Sequence, residues 1–285
     1  MHWANHIQNA NWWRERIQRL QLAEDDWKPV FDNLAKSYQK YQDKPNTKIY
    51  LKYLFPDVWR IFKAEMQQPL LPNVAAAVKK EYNILIQPVG FSIEPLLLSA
   101  LTLRPRDKII LLHSPDSADN ARELQKTLYL KNYHKFDSAN LAADEQDYLN
   151  DLKQGEKVVL RNVNPLNLAD IFEKLKQDIV GEDFDRIAVD ITGGKKSLSA
   201  SLFTLAALPA INLDTFYIDF EKYDGTYRIP IPGTEFLNFL PRVPELAERT
   251  GMNKLRDKEL YTAEKLDGWI NNFDSDTIKS GFTDE

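Results

Sequence analysis

Between Phe184 and Ser201 the chain reads FDRIAVDITGGKKSLSAS, an order that leaves few choices of fold. Ile187, Val189 and Ile191 alternate as a buried strand does, Gly193-Gly194 marks a tight turn, and Ser197, Ser199 and Ser201 lead into an apolar run from Leu202 to Leu208. The spacing predicts strand, turn, helix. Glycine lets a backbone come close to a ligand. The first turn of a helix offers unpaired N–H groups and a positive dipole end to an anion. Lys195 and Lys196 add charge at that mouth, so the stretch has the chemistry of a site for phosphate or another compact anion. Residue types alone favour a plainer account, a strand–helix connection with its lysines in water. Two nucleotide signatures are excluded. A P-loop needs glycine five residues before its Gly-Lys-Ser/Thr, and here Val189 holds that place while Gly194 is followed by Lys195-Lys196-Ser197. The dinucleotide fingerprint G-x-G-x-x-G fails because the glycines are adjacent and none stands three residues on.

The rest of the chain supplies the partners such a unit needs. Tyr82 to Gly90 (YNILIQPVG) reads as a nearly continuous apolar strand, typical of parallel strands covered on both faces. Gly90-Phe91-Ser92 turns into a helix opened by Glu94-Pro95 and running to Leu103. Lys108 to His113 is a second buried strand, and Ser114-Pro115-Asp116 caps a helix over 117–130. A short strand within 132–143 and a helix over 145–154 follow. Lys157 to Val163 is a further strand, and Asn164-Pro165 leads to a helix over 167–179. After the central unit, Leu213 to Phe220 is a strand, and Asp224-Gly225 signals a hairpin answered by Tyr227 to Ile231. The predicted fold class is α/β: a Rossmann-like, mostly parallel sheet with helices on both faces and a C-terminal β-hairpin, preceded by an all-helical N-terminal segment. Residues 1–80 carry no glycine and several apolar faces, among them Trp27, Val30, Phe31 and Leu34. We read them as a helical subdomain with core tryptophans, although an aromatic partner surface would use the same residues. Residues 81–240 form the Rossmann-like unit and 241–285 a helical extension with a polar tail.

Composition excludes several classes of function. With 285 residues the chain can bury a substantial core. Zero cysteines remove disulfides and thiolate metal sites and suit a reducing compartment, the cytoplasm. His2 and His6 stand one helical turn apart without a third ligand, so no metal and no cofactor are expected. A net charge of −5 disfavours duplex DNA. The N-terminal stretch does not read as a signal peptide, and no run approaches the ~20 apolar residues of a membrane span.

In a parallel sheet of this kind ligands bind beyond the carboxyl ends of the strands. The turns there are Gly90-Phe91-Ser92, Ser114-Pro115-Asp116, Asn164-Pro165 and Thr192 to Ser197. DITGGKKS and VGFSIEP resemble the two ligand motifs of the CRISPR-associated Rossmann fold (CARF) domain. YIDFEKYDGTYRIPIPGTEFLNFL resembles the closing hairpin and Pro-Gly-Thr-Glu turn of one CARF subgroup, so the likeness runs from about Tyr82 to Leu240. Lys195 stands where the family often has threonine, and Leu198 where methionine is frequent. The resemblance implies a homodimer that binds a cyclic oligoadenylate, the second messenger of type III CRISPR defence, across its two-fold axis. On that reading Lys195 and Lys196 neutralise phosphates. Thr192, Ser197 and the Gly193 and Gly194 amides donate hydrogen bonds, Ser114 borders the ligand, and Gly90, Phe91 and Ser92 line the adenine and ribose side.

A HEPN-type ribonuclease effector would need an Arg-to-His pattern that the histidines (2, 6, 113 and 134) do not make. The stretch after Leu240 is too short for a PD-(D/E)xK nuclease and lacks a helix-turn-helix pattern. The leading expectation is therefore a sensor that signals through its N-terminal helices or a partner. A second is a metal-independent ring nuclease, with Ser92, Lys195 and Lys196 as catalytic candidates for attack of a ribose 2′-OH on the neighbouring phosphorus. A third, outside the family, is a Rossmann-like enzyme for a mononucleotide or phosphosugar. Asp190 would then be a base, although orienting the turn is its plainer role.

Overall fold

The computed structural model describes residues 12–43, 47–69, 72–130, 141–208, 211, 213–223 and 230–240. Six strands form one sheet: β1 (Ile84–Val89), β2 (Lys108–His113), β3 (Val158–Asn162), β4 (Ile187–Asp190), β5 (Asp214–Phe220) and β6 (Glu235–Leu240), in the order β3-β2-β1-β4-β5-β6. The first five are parallel and β6 runs antiparallel to β5. The order reverses beside β1, where β2 lies on one side and β4 on the other. In open parallel sheets this switch point is where ligands settle. The α/β, Rossmann-like class expected from the sequence is the one observed.

Alternate residues of each strand feed two apolar layers. Leu85, Ile109, Leu111, Ala188, Phe216 and Leu237 pack on one face with α5 (Glu94–Leu103), α6 (Ala118–Leu128) and α7 (Ala143–Gln154). Ile84, Ile86, Ile110, Leu112, Ile187 and Val189 pack on the other under α8 (Leu168–Ile179) and α9 (Lys196–Ala207). Local chemistry sets the helix ends. Pro95 lies in the first turn of α5, whose C-cap Arg104 adopts φ 43°. The Asn167 side chain accepts from Asp170 N–H at the start of α8, 3.1 Å away.

The N-terminal segment is helical where described: α1 (Trp12–Arg19), α2 (Glu24–Asp43), a lead-in through Thr47–Ile49 and the wide turn Tyr50–Leu54, then α3 (Phe55–Gln67) and α4 (Pro72–Ala77). Most of its described aromatics are core, with Tyr53 exposed. Trp13, Phe31, Tyr38, Trp59 and Phe62 belong to the same continuous apolar cluster as Leu85 and Leu96 of the sheet layer. Trp59 also donates from Nε1 to Glu145 of α7, 3.0 Å away.

One expectation is corrected at the sheet edge. The antiparallel partner of β5 is Glu235–Leu240, not Tyr227 to Ile231. Pro230 and Pro232 have no N–H to give a ladder, whereas EFLNFL alternates Leu237 and Phe239 toward the core with Phe236 and Asn238 away from it. Of the expected pairing, the described residues keep the Tyr223–Pro230 bridge and a hydrogen bond from Ile231 N–H to the Lys222 oxygen, 3.1 Å long. The Asp224-Gly225 turn, the strand expected within 132–143 (apart from its last residues, of which Ala143 starts α7), His2, His6 and the 241–285 extension lie outside the described residues.

A buried charge cluster joins α1 to this edge. Arg16 donates to Glu221 (2.7 Å) and to the Glu235 backbone oxygen (2.7 Å), and Arg19 pairs with Glu221 and Glu65. Two guanidiniums thus face the carboxylates of Glu65, Glu221 and Glu235. Desolvation raises the Glu235 carboxyl from its ordinary 4.5 to about 7, and a neutral Glu235 balances the cluster's charge. The unfolded chain releases that proton more readily. Glu235 therefore contributes stability that is fully present below about 4.5 and is lost as pH rises through about 7. We expect Glu235→Gln to flatten the pH dependence of the urea midpoint in this window, by on the order of 3 kcal/mol. Parallel profiles for parent and variant would contradict this.

Candidate functional site

The carboxyl ends of β1, β2 and β4 meet on one rim, and glycine brings them together. A Cβ placed on Gly90 would lie 2.8 Å from the Gly194 nitrogen, and one on Gly193 would lie 2.2 Å from the Pro88 oxygen. Gly194 itself adopts φ 81°, a conformation that glycine takes without strain. The turn after β4 is thus in backbone contact with the turn after β1. Ser92 and Lys196 each stand two residues beyond that contact.

The β2 turn joins through side chains. Asn120, in the first turn of α6, donates from Nδ2 to the backbone oxygens of Gly90 (2.8 Å) and Phe91 (3.2 Å). Asp116 accepts from Lys195 Nζ at 2.7 Å. Both members of that pair are exposed, so it contributes only ~0–1 kcal/mol and yields readily to a competing anion. Lys196 is exposed at the start of α9. Lys195, the N-cap residue of α9, offers no side-chain acceptor to the first amides of the helix, which keep their donors at the rim. Phe91 is 79% exposed beside the exposed Ser92, while Ile93 next to them is buried. A ring in water at the mouth of a cationic turn is a surface on which a base can stack.

Beneath the turn lies a buried polar knot. Asp190, at the end of β4, is 0% exposed. It accepts from Ser99 Oγ, from Gln87 Nε2 (3.2 Å), and from both the amide (2.8 Å) and the hydroxyl of Thr192. Desolvation raises its pKa and these hydrogen bonds hold the rise in check. Enclosed in this way, Asp190 orients the turn and has no access to a ligand, which removes the general-base role that the mononucleotide reading gave it.

Two expected ligand residues are engaged by the scaffold. The Thr192 hydroxyl donates to Asp190 and accepts from Ile218 N–H at 2.7 Å, which ties the turn to β5. Ser114 is buried and engages Ser117 in the cap of the turn after β2. Gly90, Phe91, Ser92, Gly193, Gly194, Lys195, Lys196 and Ser197 share the rim. Sequence reasoning missed Asn120 and the Gln87–Ser99–Asp190 knot. A polar residue in the first turn of the helix after β2 could have pointed to Asn120. Gln87 and Ser99, set within apolar runs, were the available sign of a buried polar network. Among the described residues no group of three His, Cys, Asp or Glu side chains is placed to hold a metal ion, and no helix is long and apolar enough to cross a membrane. No protein-family model matches the chain, and no curated protein matches it either.

Proposed function

We propose that this chain is a CARF-type sensor of cyclic oligoadenylate, with two copies sharing one ring of the messenger. The observation that carries the reading is the backbone contact between Gly90 and Gly194. It brings the two motifs that resemble CARF ligand elements to one rim at the switch point, with an exposed aromatic ring on one side and two exposed lysines on the other. Phosphates would sit against Lys195, Lys196 and the first amides of α9, with Lys195 exchanging Asp116 for phosphate. Adenine would stack on Phe91, and Ser92 would face a ribose. A two-fold ring suits two copies of one such patch.

The exposed Ser92 beside both lysines also supports a second reading, the ring nuclease. In it the 2′-OH of a ribose attacks the adjacent phosphorus, the bond to the 5′-oxygen breaks, and a 2′,3′-cyclic phosphate and a 5′-hydroxyl result. The lysines would stabilise the charge that develops on phosphorus-bound oxygen.

Titration of the purified protein with cyclic tetra- and hexa-adenylate tests both readings. We expect binding that weakens tenfold or more, ~1.4 kcal/mol or more, in Lys196→Ala. The melting temperature should stay nearly unchanged, because the lysine is solvent-facing. Linear products ending in a 2′,3′-cyclic phosphate would establish the nuclease. Absence of binding to either ring would refute the proposal and leave a mononucleotide or phosphosugar ligand as the alternative.

A further inference from the structure

The two peptide groups that flank Phe91 are held by one side chain. Asn120 Nδ2 donates to the Gly90 oxygen at 2.8 Å and to the Phe91 oxygen at 3.2 Å. Peptide groups are planar, so the orientations of the 90–91 and 91–92 planes set φ and ψ at Phe91, and with them the direction of its Cα–Cβ bond. With both planes tethered, the freedom left to the ring is that of its side-chain torsions. We infer that Asn120 is a positioning residue, which presents the Phe91 ring at the rim in the orientation that stacks on a nucleobase. The inference rests on the reading above, in which the rim takes adenine, and adds to it a residue that acts through Phe91 and not on the ligand itself.

Three observations carry it. The first is need. A Cβ on Gly90 would meet the Gly194 nitrogen, so the turn keeps a glycine there, and glycine leaves the backbone its widest choice of conformations. Phe91 is 79% exposed, so burial does not fix its ring. A ring free to wander would lose that freedom on binding, at a cost in affinity. The second is fit. The asparagine amide carries two N–H donors on one nitrogen, enough for two adjacent carbonyls. Ionised aspartate has the same shape and no donor, and serine has one. The third is a firm base. Asn120 lies in the first turn of α6, next to the fully buried Ala121 and one turn before the fully buried Leu124. The turn that leads into α6 is closed by Ser114 N–H donating to Ser117 Oγ at 3.1 Å. The tether thus runs from the core to a ring that core packing does not reach.

A double-mutant cycle tests the inference. Asn120→Ala, Phe91→Ala and the combined variant are titrated with cyclic tetra- and hexa-adenylate beside the parent, with circular dichroism to show that each is folded. We expect Phe91→Ala to weaken binding about tenfold, as the loss of one base–aromatic stack does. Asn120→Ala should weaken it about threefold to tenfold in the parent, in line with two lost hydrogen bonds that order the turn. In the Phe91→Ala protein the same change should cost less than about twofold, because a group that acts through the ring has nothing to act on once the ring is gone. Asn120→Asp, which keeps the shape without the donors, should match Asn120→Ala. Equal losses in the two backgrounds would show that Asn120 merely braces the rim, and would overturn the inference. An Asn120→Ala protein that binds as its parent does would overturn it too. A measurement without ligand separates this outcome from the fate of the functional reading. The chain has no cysteine, so a nitroxide on Phe91→Cys is a single label. Its electron paramagnetic resonance spectrum should report slower motion with Asn120 in place than in Asn120→Ala. Where the parent binds neither ring, the cyclic oligoadenylate reading falls and the label alone decides: slower motion with Asn120 supports the tether, and equal motion in the two proteins overturns it.

Discussion

Replacing Glu65 by Ala will destabilise the protein by ~3–5 kcal/mol, the cost of leaving a buried charge without its partner. Glu65 is fully buried in α3 and is met by two guanidiniums. Arg19 approaches it at 3.2 Å through Nη1, with a second, shorter contact through Nη2, and Arg16 lies 3.3 Å away. Arg16 is itself 2% exposed and cannot turn to water when Glu65 is lost. Among the described residues, Glu221 and the Glu235 backbone oxygen would remain to accept from it, in a site already short of hydrogen bonds, since Arg16 Nε and Arg19 Nε are buried without a partner. Because the cluster spans α1, α3 and the β5–β6 edge, the loss should also loosen α1 from the sheet. Urea denaturation measures the first effect and hydrogen exchange in α1 the second. An exposed pair provides the contrast: Asp32→Ala, which breaks the contact of Lys28 one helical turn away, should cost no more than ~0.5 kcal/mol. A cost below ~1 kcal/mol for Glu65→Ala would show that Glu221 alone can satisfy both arginines.

That cluster was invisible in the sequence, and the reason is physical. Its members are 16, 19, 65, 221 and 235, separated by up to 219 positions, and nothing local distinguishes a glutamate that will be buried from one facing water. The alternation of apolar strands and amphipathic helices, by contrast, is local. Lys108–His113 and Glu94–Leu103 fall where periodicity and Pro95 put them, and the class of sheet follows from their order. The edge strand was misassigned because Asp-Gly is a strong hairpin signal, while the prolines that spoil the ladder beyond it are read less easily. At the rim, the residue types in the Gly90 and Gly193-Gly194 turns announced close backbone approach. They could not say what was approached, and the answer is each other. Thr192 and Ser114 looked like ligand donors because hydroxyls at strand ends serve ligands and scaffolds alike. Only the distances to Asp190, Ile218 and Ser117 separate the two uses.

The backbone contact at the rim leads to the second large effect, expected for Gly193→Ala. The new methyl would stand 2.2 Å from the Pro88 oxygen and 3.1 and 3.2 Å from the two methyls of Leu96. The oxygen belongs to the central strand β1 and cannot swing aside as a side chain would, and Leu96 is packed in the core. Relief requires the β4 turn to lift from β1, at a cost of ~1–3 kcal/mol or more. Gly155→Ala is the control. The three atoms nearest its methyl all belong to the side chain of Lys157, which can shift at the expense of its exposed contacts to Arg106 and Asp151, so its effect should stay within ~1 kcal/mol. The two outcomes bear on function in different ways. If the rim is the ligand site, Gly193→Ala at a temperature where the chain is still folded should lose ligand binding together with stability, whereas Lys196→Ala loses binding alone. A Gly193→Ala protein that binds as tightly as its parent would mean that the apposed turns are only a packing solution, and that the ligand, whatever its chemistry, is held elsewhere.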